Sequence, residues 1–234
     1  VFTDPAAAGL EVPVFTEPEN YFIDDAYFKQ PQPGTEIIRK PTIGNPPVNN
    51  PLPMNINGSV LIKVGDKITT DHIMPAGVHL KLRSNIPAYS KVVFECFTEA
   101  GKSSFAERAA AVRDAGKHGV IIGRDSYGQG SSREHAALCP MYLGVKAVLA
   151  KSIERIHRAN LINFGIVPFI FDDAKDYDSV KAGDKLELVD IRKAVEGDGK
   201  VTVKAGAKTF TATTSLSGRE KQLILAGGLL ASLK

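Results

Sequence analysis

The sequence predicts an α/β fold: a largely parallel sheet flanked by helices, a small antiparallel β section after it, and an extended proline-rich linker before it. Three observations carry this expectation. Apolar, β-branched runs at Ser59–Val64, His118–Ile122, Val145–Leu149 and Gly165–Phe171 alternate with helical spacing at Ser103–Ala115, Ser131–Leu143 and Ser152–Ile162, the pattern of strands joined by covering helices. Lys185–Val189, Lys200–Lys204 and Thr209–Thr213 then read as shorter strands joined by glycine turns, hence the antiparallel section. Most of the prolines, among them Pro31, Pro33, Pro41, Pro46, Pro47, Pro51 and Pro53, crowd into the first fifty-odd residues, where no helical or alternating period exists.

Residues 1–56 are therefore expected to be an extended interdomain linker and 57–234 the folded domain. Phe15, Tyr21, Phe22, Tyr27 and Phe28 give the arm adhesive apolar groups, for its own domain or for a neighbour. Gly65-Asp-Lys breaks the first strand, and Ile68–Gly77 reads as a polar loop closed by Pro75 and Gly77. Within it Asp71 and His72 are candidates for acid–base work or binding, or else a turn aspartate beside an exposed histidine. Arg83, taken alone, reads as a solvated surface residue. In Ser103–Ala115, Phe105, Ala109 and Val112 share one face and Gly116 is the expected C-cap. Ser152 is the expected N-cap of the next helix, and Gly218–Leu225 closes the chain as a helix.

The stretch from Gly123 to His135 concentrates the chemistry. It leaves a buried strand through glycines and enters a helix whose start is placed at Ser131 and Ser132, because Ser131 followed by Glu134 is a capping-box pattern. Free N–H groups at such a start favour an anion. Arg133 in the first turn is disfavoured by the helix dipole, so it points to a nearby carboxylate or phosphate. Gly128 and Gly130 permit a close backbone approach. On local grounds a plain cap explains the serines more often than an anion site does. A dinucleotide fingerprint does not explain them, since Arg133 stands where its third glycine belongs.

Composition narrows the class. A net charge of +3 without a lysine or arginine block gives nucleic-acid binding no support. The only cysteines, Cys96 and Cys139, form no Cys-x-x-Cys pair, so no zinc or iron–sulfur site can be assembled from this chain's thiolates alone. Two such thiols fit a reducing compartment. The longest apolar stretch, Leu223–Leu233, is too short to span a bilayer, and no secretory or transit segment is visible. The chain starts at Val1, and its first residues look cut from something longer.

Two motifs together carry a resemblance: Gly65-Asp-Lys-Ile-Thr-Thr-Asp-His-Ile-Met-Pro-Ala-Gly77 and Gly128-Gln-Gly-Ser-Ser-Arg-Glu-His-Ala-Ala-Leu138. With Lys151-Ser-Ile-Glu-Arg-Ile-His-Arg-Ala-Asn160 and Phe164-Gly-Ile-Val-Pro168, residues 57–234 resemble the C-terminal swivel domain of the aconitase family. The resemblance implies a mobile β/β/α domain that closes over a [4Fe-4S] cluster and a tricarboxylic acid held by the remaining N-terminal domains. The family interconverts citrate and isocitrate through cis-aconitate. Carried over, Ser131 is the base that takes the proton next to a carboxylate, Asp71 supports proton transfer, and Ser132, Arg133 and Arg83 hold substrate carboxylates. No catalytic role carries over to His72 or Cys139.

The family's cluster cysteines, and the histidine–aspartate set that handles the hydroxyl group, lie in its other domains. The chain alone is therefore expected to lack hydratase activity, and its location is expected to be cytoplasmic, or the mitochondrial matrix in a eukaryote. The near alternative is the small subunit of isopropylmalate isomerase or homoaconitase, with a separate large subunit as partner. Two readings of other classes are an RNA-binding aconitase relative, which the charge does not support, and a non-catalytic interaction module, which leaves Arg83 and Arg133 unexplained.

Overall fold

The structure is a computed structural model; it describes residues 42–233 throughout and, before them, 4, 5, 7–11, 14, 16–18, 26, 29, 30, 32–36, 39 and 40. The five arm aromatics, together with Val1, Pro31 and Pro41, lie outside the described residues. Two units divide at Arg39/Lys40. In the first, short turns are closed by Ala8 N–H to Asp4 O and Thr35 N–H to Gln32 O. The second holds the described residues from Lys40 onward.

Its strands are β1 (Ile56–Lys63), β2 (His118–Ile122), β3 (Val145–Ala150), β4 (Val167–Phe171), β5 (Lys185–Val189), β6 (Lys200–Ala205) and β7 (Lys208–Thr213). They form one closed barrel in the order β1-β2-β3-β4-β7-β6-β5. β1 to β4 pair in parallel, and β5 to β7 pair antiparallel with each other and with β1 and β4. The expected parallel sheet with a separate antiparallel section is thus corrected: the two pieces are halves of a single barrel. Closure follows from β5 pairing with β1 (Ile56 opposite Leu188) and β7 with β4 (Ile170 opposite Thr213), which leaves no open edge.

The helices are α1 (Thr70–Ile73), α2 (Ile86–Tyr89), α3 (Phe105–Asp114), α4 (His135–Tyr142), α5 (Arg155–Asn163), α6 (Asp176–Ser179), α7 (Ile191–Glu196), α8 (Gly218–Ala226) and α9 (Leu229–Ser232). α3 starts at the capping box of Ser104 and Glu107, and Gly116 follows its end with φ +69°. Ser152 does not cap α5. Glu154 stands at that position, and the Ser152 hydroxyl instead accepts from Ser126 N–H at 2.8 Å.

Two apolar clusters explain the burial pattern. Val60, Val120, Leu149, Phe169, Leu188, Val203 and Phe210, one from each strand, fill the barrel. Leu61, Ile121 and Val148 point the other way, under Tyr89, Phe94, Phe105 and Ala137 from the helical layer. Hence β3 is buried along its whole length, whereas β6 alternates buried and exposed positions until its last residue.

The stretch before β1 has no regular structure but is fastened to the domain. Leu52 is buried in the barrel cluster. The Asn49 amide donates to Phe164 O and Gly227 O, both at 2.9 Å. Lys146, on β3 and 6 % exposed, donates to Asn49 Oδ1 at 2.6 Å and Asn50 O at 2.9 Å. Burial lowers the Lys146 pKa to about 8. Asn49→Ala removes a polar partner from a desolvated ammonium and exposes two carbonyls to non-bonded surroundings. It is expected to cost about 1–3 kcal/mol in urea denaturation, and Lys146→Met in the same background to recover part of the loss. Unchanged stability of Asn49→Ala would show the fastening to be idle.

Candidate functional site

β1 and β2 are parallel neighbours, so the loops leaving their C-terminal ends emerge side by side. Backbone bonds stitch them together. Lys67 N–H donates to Asp125 O at 2.7 Å, Thr70 N–H to Gln129 O at 2.8 Å, and the N–H groups of Gly128 and Gln129 both to Ile68 O. The Thr70 hydroxyl donates to Ser131 O at 3.1 Å.

The loop expected at Ile68–Gly77 contains a helical turn, α1. Thr69 caps it, accepting from His72 N–H while His72 Nδ1 accepts from Thr69 N–H, each at 3.1 Å. This gives His72 a local structural task and presents Asp71 outward. The Asp71 carboxylate receives Arg133 Nη1 at 2.5 Å, and the same nitrogen donates to Met74 O at 2.6 Å. That guanidinium hydrogen bond is the main cause holding the Asp71 carboxyl below its ordinary range. Arg133 is 17 % exposed and Asp71 60 %, so the pair fixes geometry more than it adds stability.

The helix expected from Ser131 begins four residues later, at His135, and Glu134 makes no side-chain cap. The Ser131/Glu134 capping box therefore does not form. Gly128 and Gly130 have φ of +85° and +100°, and the following backbone is held by Thr70 while Arg133 folds back to α1. Consequently Ser131 and Ser132 are both exposed. Among the described residues neither hydroxyl has a hydrogen-bond partner, and the backbone N–H groups of Ser131 to Glu134 donate to no protein acceptor. The anion-favouring N–H groups are thus present, in an irregular turn instead of a helix start.

Arg83 follows a 3₁₀ turn, Gly77–Leu82, none of whose residues is buried. Its guanidinium is exposed and has no partner among the described residues. Sequence reasoning missed the residues behind the site. His135 Nε2 donates to Arg83 O at 2.9 Å. His157, 1 % exposed, lies under Gly128, where a Cβ would come within 2.2 Å of its ring. The only signal in the sequence was their place in the same motifs.

Residues 77–174 match the family described as the aconitase C-terminal domain. Those residues carry an aconitase C-terminal domain. They include Arg83 and Ser131 to Arg133, and Asp71 lies just before them. The chain is 36% identical to a putative mitochondrial aconitate hydratase of Emericella nidulans, an alignment covering 74% of this chain and 24% of that protein. It is 35% identical to a mitochondrial homocitrate dehydratase of Saccharomyces cerevisiae over 60% of this chain and 20% of that one. It thus spans about a quarter or less of the length of these curated relatives. A crystal structure of a 3-isopropylmalate dehydratase from Methanocaldococcus jannaschii aligns with a TM-score of 0.57 and 27% identity, over 77% of this chain and 92% of that one.

The aconitase relationship raises the question of an iron–sulfur cluster. This chain's own residues do not fit one: its two cysteines are fewer than the three thiolates a cluster takes in this family, one is buried and one exposed, and among the described residues no three potential ligands converge. No helix of the described residues is long and apolar enough to cross a membrane.

Burial lowers the His157 pKa to about 4, and among the described residues neither ring nitrogen has a hydrogen-bond partner. Between the ordinary value of 6.5 and about 4 the unfolded chain binds a proton that the folded chain refuses. Its contribution is full above pH 6.5 and is lost as pH falls to about 4, amounting to about 3 kcal/mol. Acid denaturation of His157→Leu is expected to lack this slope; identical slopes in the two proteins would contradict it.

Proposed function

We propose that this chain is the C-terminal domain of an aconitase, with residues 57–234 as its swivelling part and residues 1–56 as the linker to the cluster-bearing domains. One observation supports it above the others: the Arg133 contact with Asp71 and Met74 O brings the two motif loops together and leaves Ser131 uncovered. Ser131 is the base that removes the proton next to a substrate carboxylate. Its alkoxide needs donors already in place, and the uncommitted N–H groups of Ser132 to Glu134 are the ones at hand. Asp71 keeps Arg133 oriented and supports the transfer.

Arg133 spends Nη1 on Asp71 and Met74 O, so its Nε and Nη2 edge remains for a carboxylate in side-on, two-point contact. Ser132 adds a hydroxyl donor to the same group. Arg83, uncommitted, holds a second carboxylate. The [4Fe-4S] cluster belongs to the remaining domains. This chain alone is accordingly inactive. In a eukaryote the enzyme resides in the mitochondrial matrix, in keeping with the relatives' names.

A second reading, a small subunit acting on isopropylmalate or homocitrate with a separate large subunit, is favoured by the match to 92% of the 3-isopropylmalate dehydratase chain. Assays of this chain joined to cluster-loaded partner domains, offering citrate, homocitrate and 3-isopropylmalate in turn, separate the two. Citrate turnover is the expected result, and 3-isopropylmalate turnover without it overturns the aconitase reading. In the active assembly Ser131→Ala is expected to lower kcat by about 10²–10⁴-fold, and Arg83→Gln to act mainly on KM. A Ser131→Ala enzyme with undiminished kcat would remove the serine from the chemistry.

A further inference from the structure

We propose that His135 is a positioning residue that fixes the place of Arg83 relative to Ser131–Arg133, and so sets the span between the two cationic arms that a polycarboxylate must match. The proposal rests on reading Arg83 as a carboxylate holder. Its structural half stands without that reading.

The segment carrying Arg83 needs such a device. The 3₁₀ turn Gly77–Leu82 buries none of its residues and has no side-chain cap. Apolar packing holds it only at the half-buried Leu82, and His79 Nε2 meets the Glu95 carboxylate at 3.0 Å. Val78 is 78% exposed and Leu80 48%. What holds Arg83 is its own peptide: Arg83 N–H donates to Leu80 O at 3.1 Å, and Arg83 O accepts from His135 Nε2 at 2.9 Å. The first bond is internal to the turn. The second is the one that ties Arg83 to the other motif, 52 positions away.

The imidazole is built for the task. A carbonyl only accepts, so the shared proton sits on Nε2. The side chain is 14 % exposed, and Nδ1 lies 3.5 Å from the Glu134 carboxylate. The ring rests on Tyr89 with centroids 5.3 Å apart. Tyr89 is itself fully buried, with its hydroxyl donating to Pro75 O at 2.9 Å. Because His135 is the first residue of α4 and stands two positions after Arg133, the peptides of Arg133 and Arg83 are linked by a short covalent path and one hydrogen bond.

Two variants separate this role from packing. His135→Phe keeps a ring on Tyr89 and loses the donor; His135→Gln places an amide N–H near the position of Nε2. In this chain alone, amide hydrogen exchange over residues 77–85 is expected to quicken in His135→Phe and to return towards the parental rate in His135→Gln, with circular dichroism confirming that both are folded. Unchanged exchange in His135→Phe, or Gln behaving like Phe, overturns the proposal. Quickened exchange supports the link even if no assembly turns over a hydroxy acid, a result that would sink only the functional reading.

In an active assembly His135→Phe is expected to raise KM about ten- to a hundredfold with kcat changed less than about threefold, and His135→Gln to restore most of the loss. In an Arg83→Ala background His135→Phe should add little further change, because both act through one contact. Additive effects, or a fall in kcat at parental KM, would show that His135 acts otherwise than through Arg83.

Discussion

Arg133 reaches from the loop after β2 to the Asp71 carboxylate on α1 and to the carbonyl of Met74 just after it, and the arrangement of the whole site depends on that reach. It draws one arginine away from the start of α4 and leaves the backbone from Ser131 to Glu134 outside any helix. The uncovered serine hydroxyls and uncommitted N–H groups follow from this. As a partly exposed pair the contact contributes little to stability. Its effect is conformational, because a guanidinium held at one nitrogen presents its remaining edge in a fixed direction.

The barrel supplies the frame. Its parallel half brings the ends of β1 and β2 together, and backbone bonds between Ile68–Thr70 and Asp125–Gln129 continue their pairing into the loops. Below the second loop, Ser152, Glu154 and His157 hold the chain from Ser126 to Gly128: Ser126 N–H meets Ser152 Oγ, the Ser126 hydroxyl meets Glu154, and the His157 ring fills the space that a side chain at Gly128 would need. The antiparallel half contributes no candidate site residue. Its part is to close the sheet and complete the apolar interior.

Much of this was legible in the sequence, and the exceptions have physical causes. All seven strands follow from apolar runs and alternation, since Val60, Val120 and Phe169 must be buried wherever their strands pair. Barrel closure was not legible, because pairing of β5 with β1 and of β7 with β4 joins segments far apart in the chain. The start of α4 was misplaced for a local reason. Ser131 and Glu134 have the spacing of a capping box, yet Arg133 finds stronger partners in Asp71 and Met74 O, and the glycines before it allow the chain to follow. At Ser104/Glu107 the same spacing gives a real cap, although Arg108 beside it also reaches away, to Leu61 O and Ser103 O. Asp71, Ser131, Ser132 and Arg133 stood out by residue type and motif, and Arg83 only through the family resemblance. His135 and His157 did not, because they act through a carbonyl and through shape.

The fastening of the chain before β1 has a mechanical consequence. Asn49 is tied to the ends of α5 and α8, Lys146 grips Asn49 and Asn50 from β3, and Leu52 is sunk into the barrel interior. Torque applied through the arm is therefore delivered to the barrel wall at Asn49, and not at the first residue of β1. From Asn49 onward, the chain before β1 therefore moves with the barrel as one body.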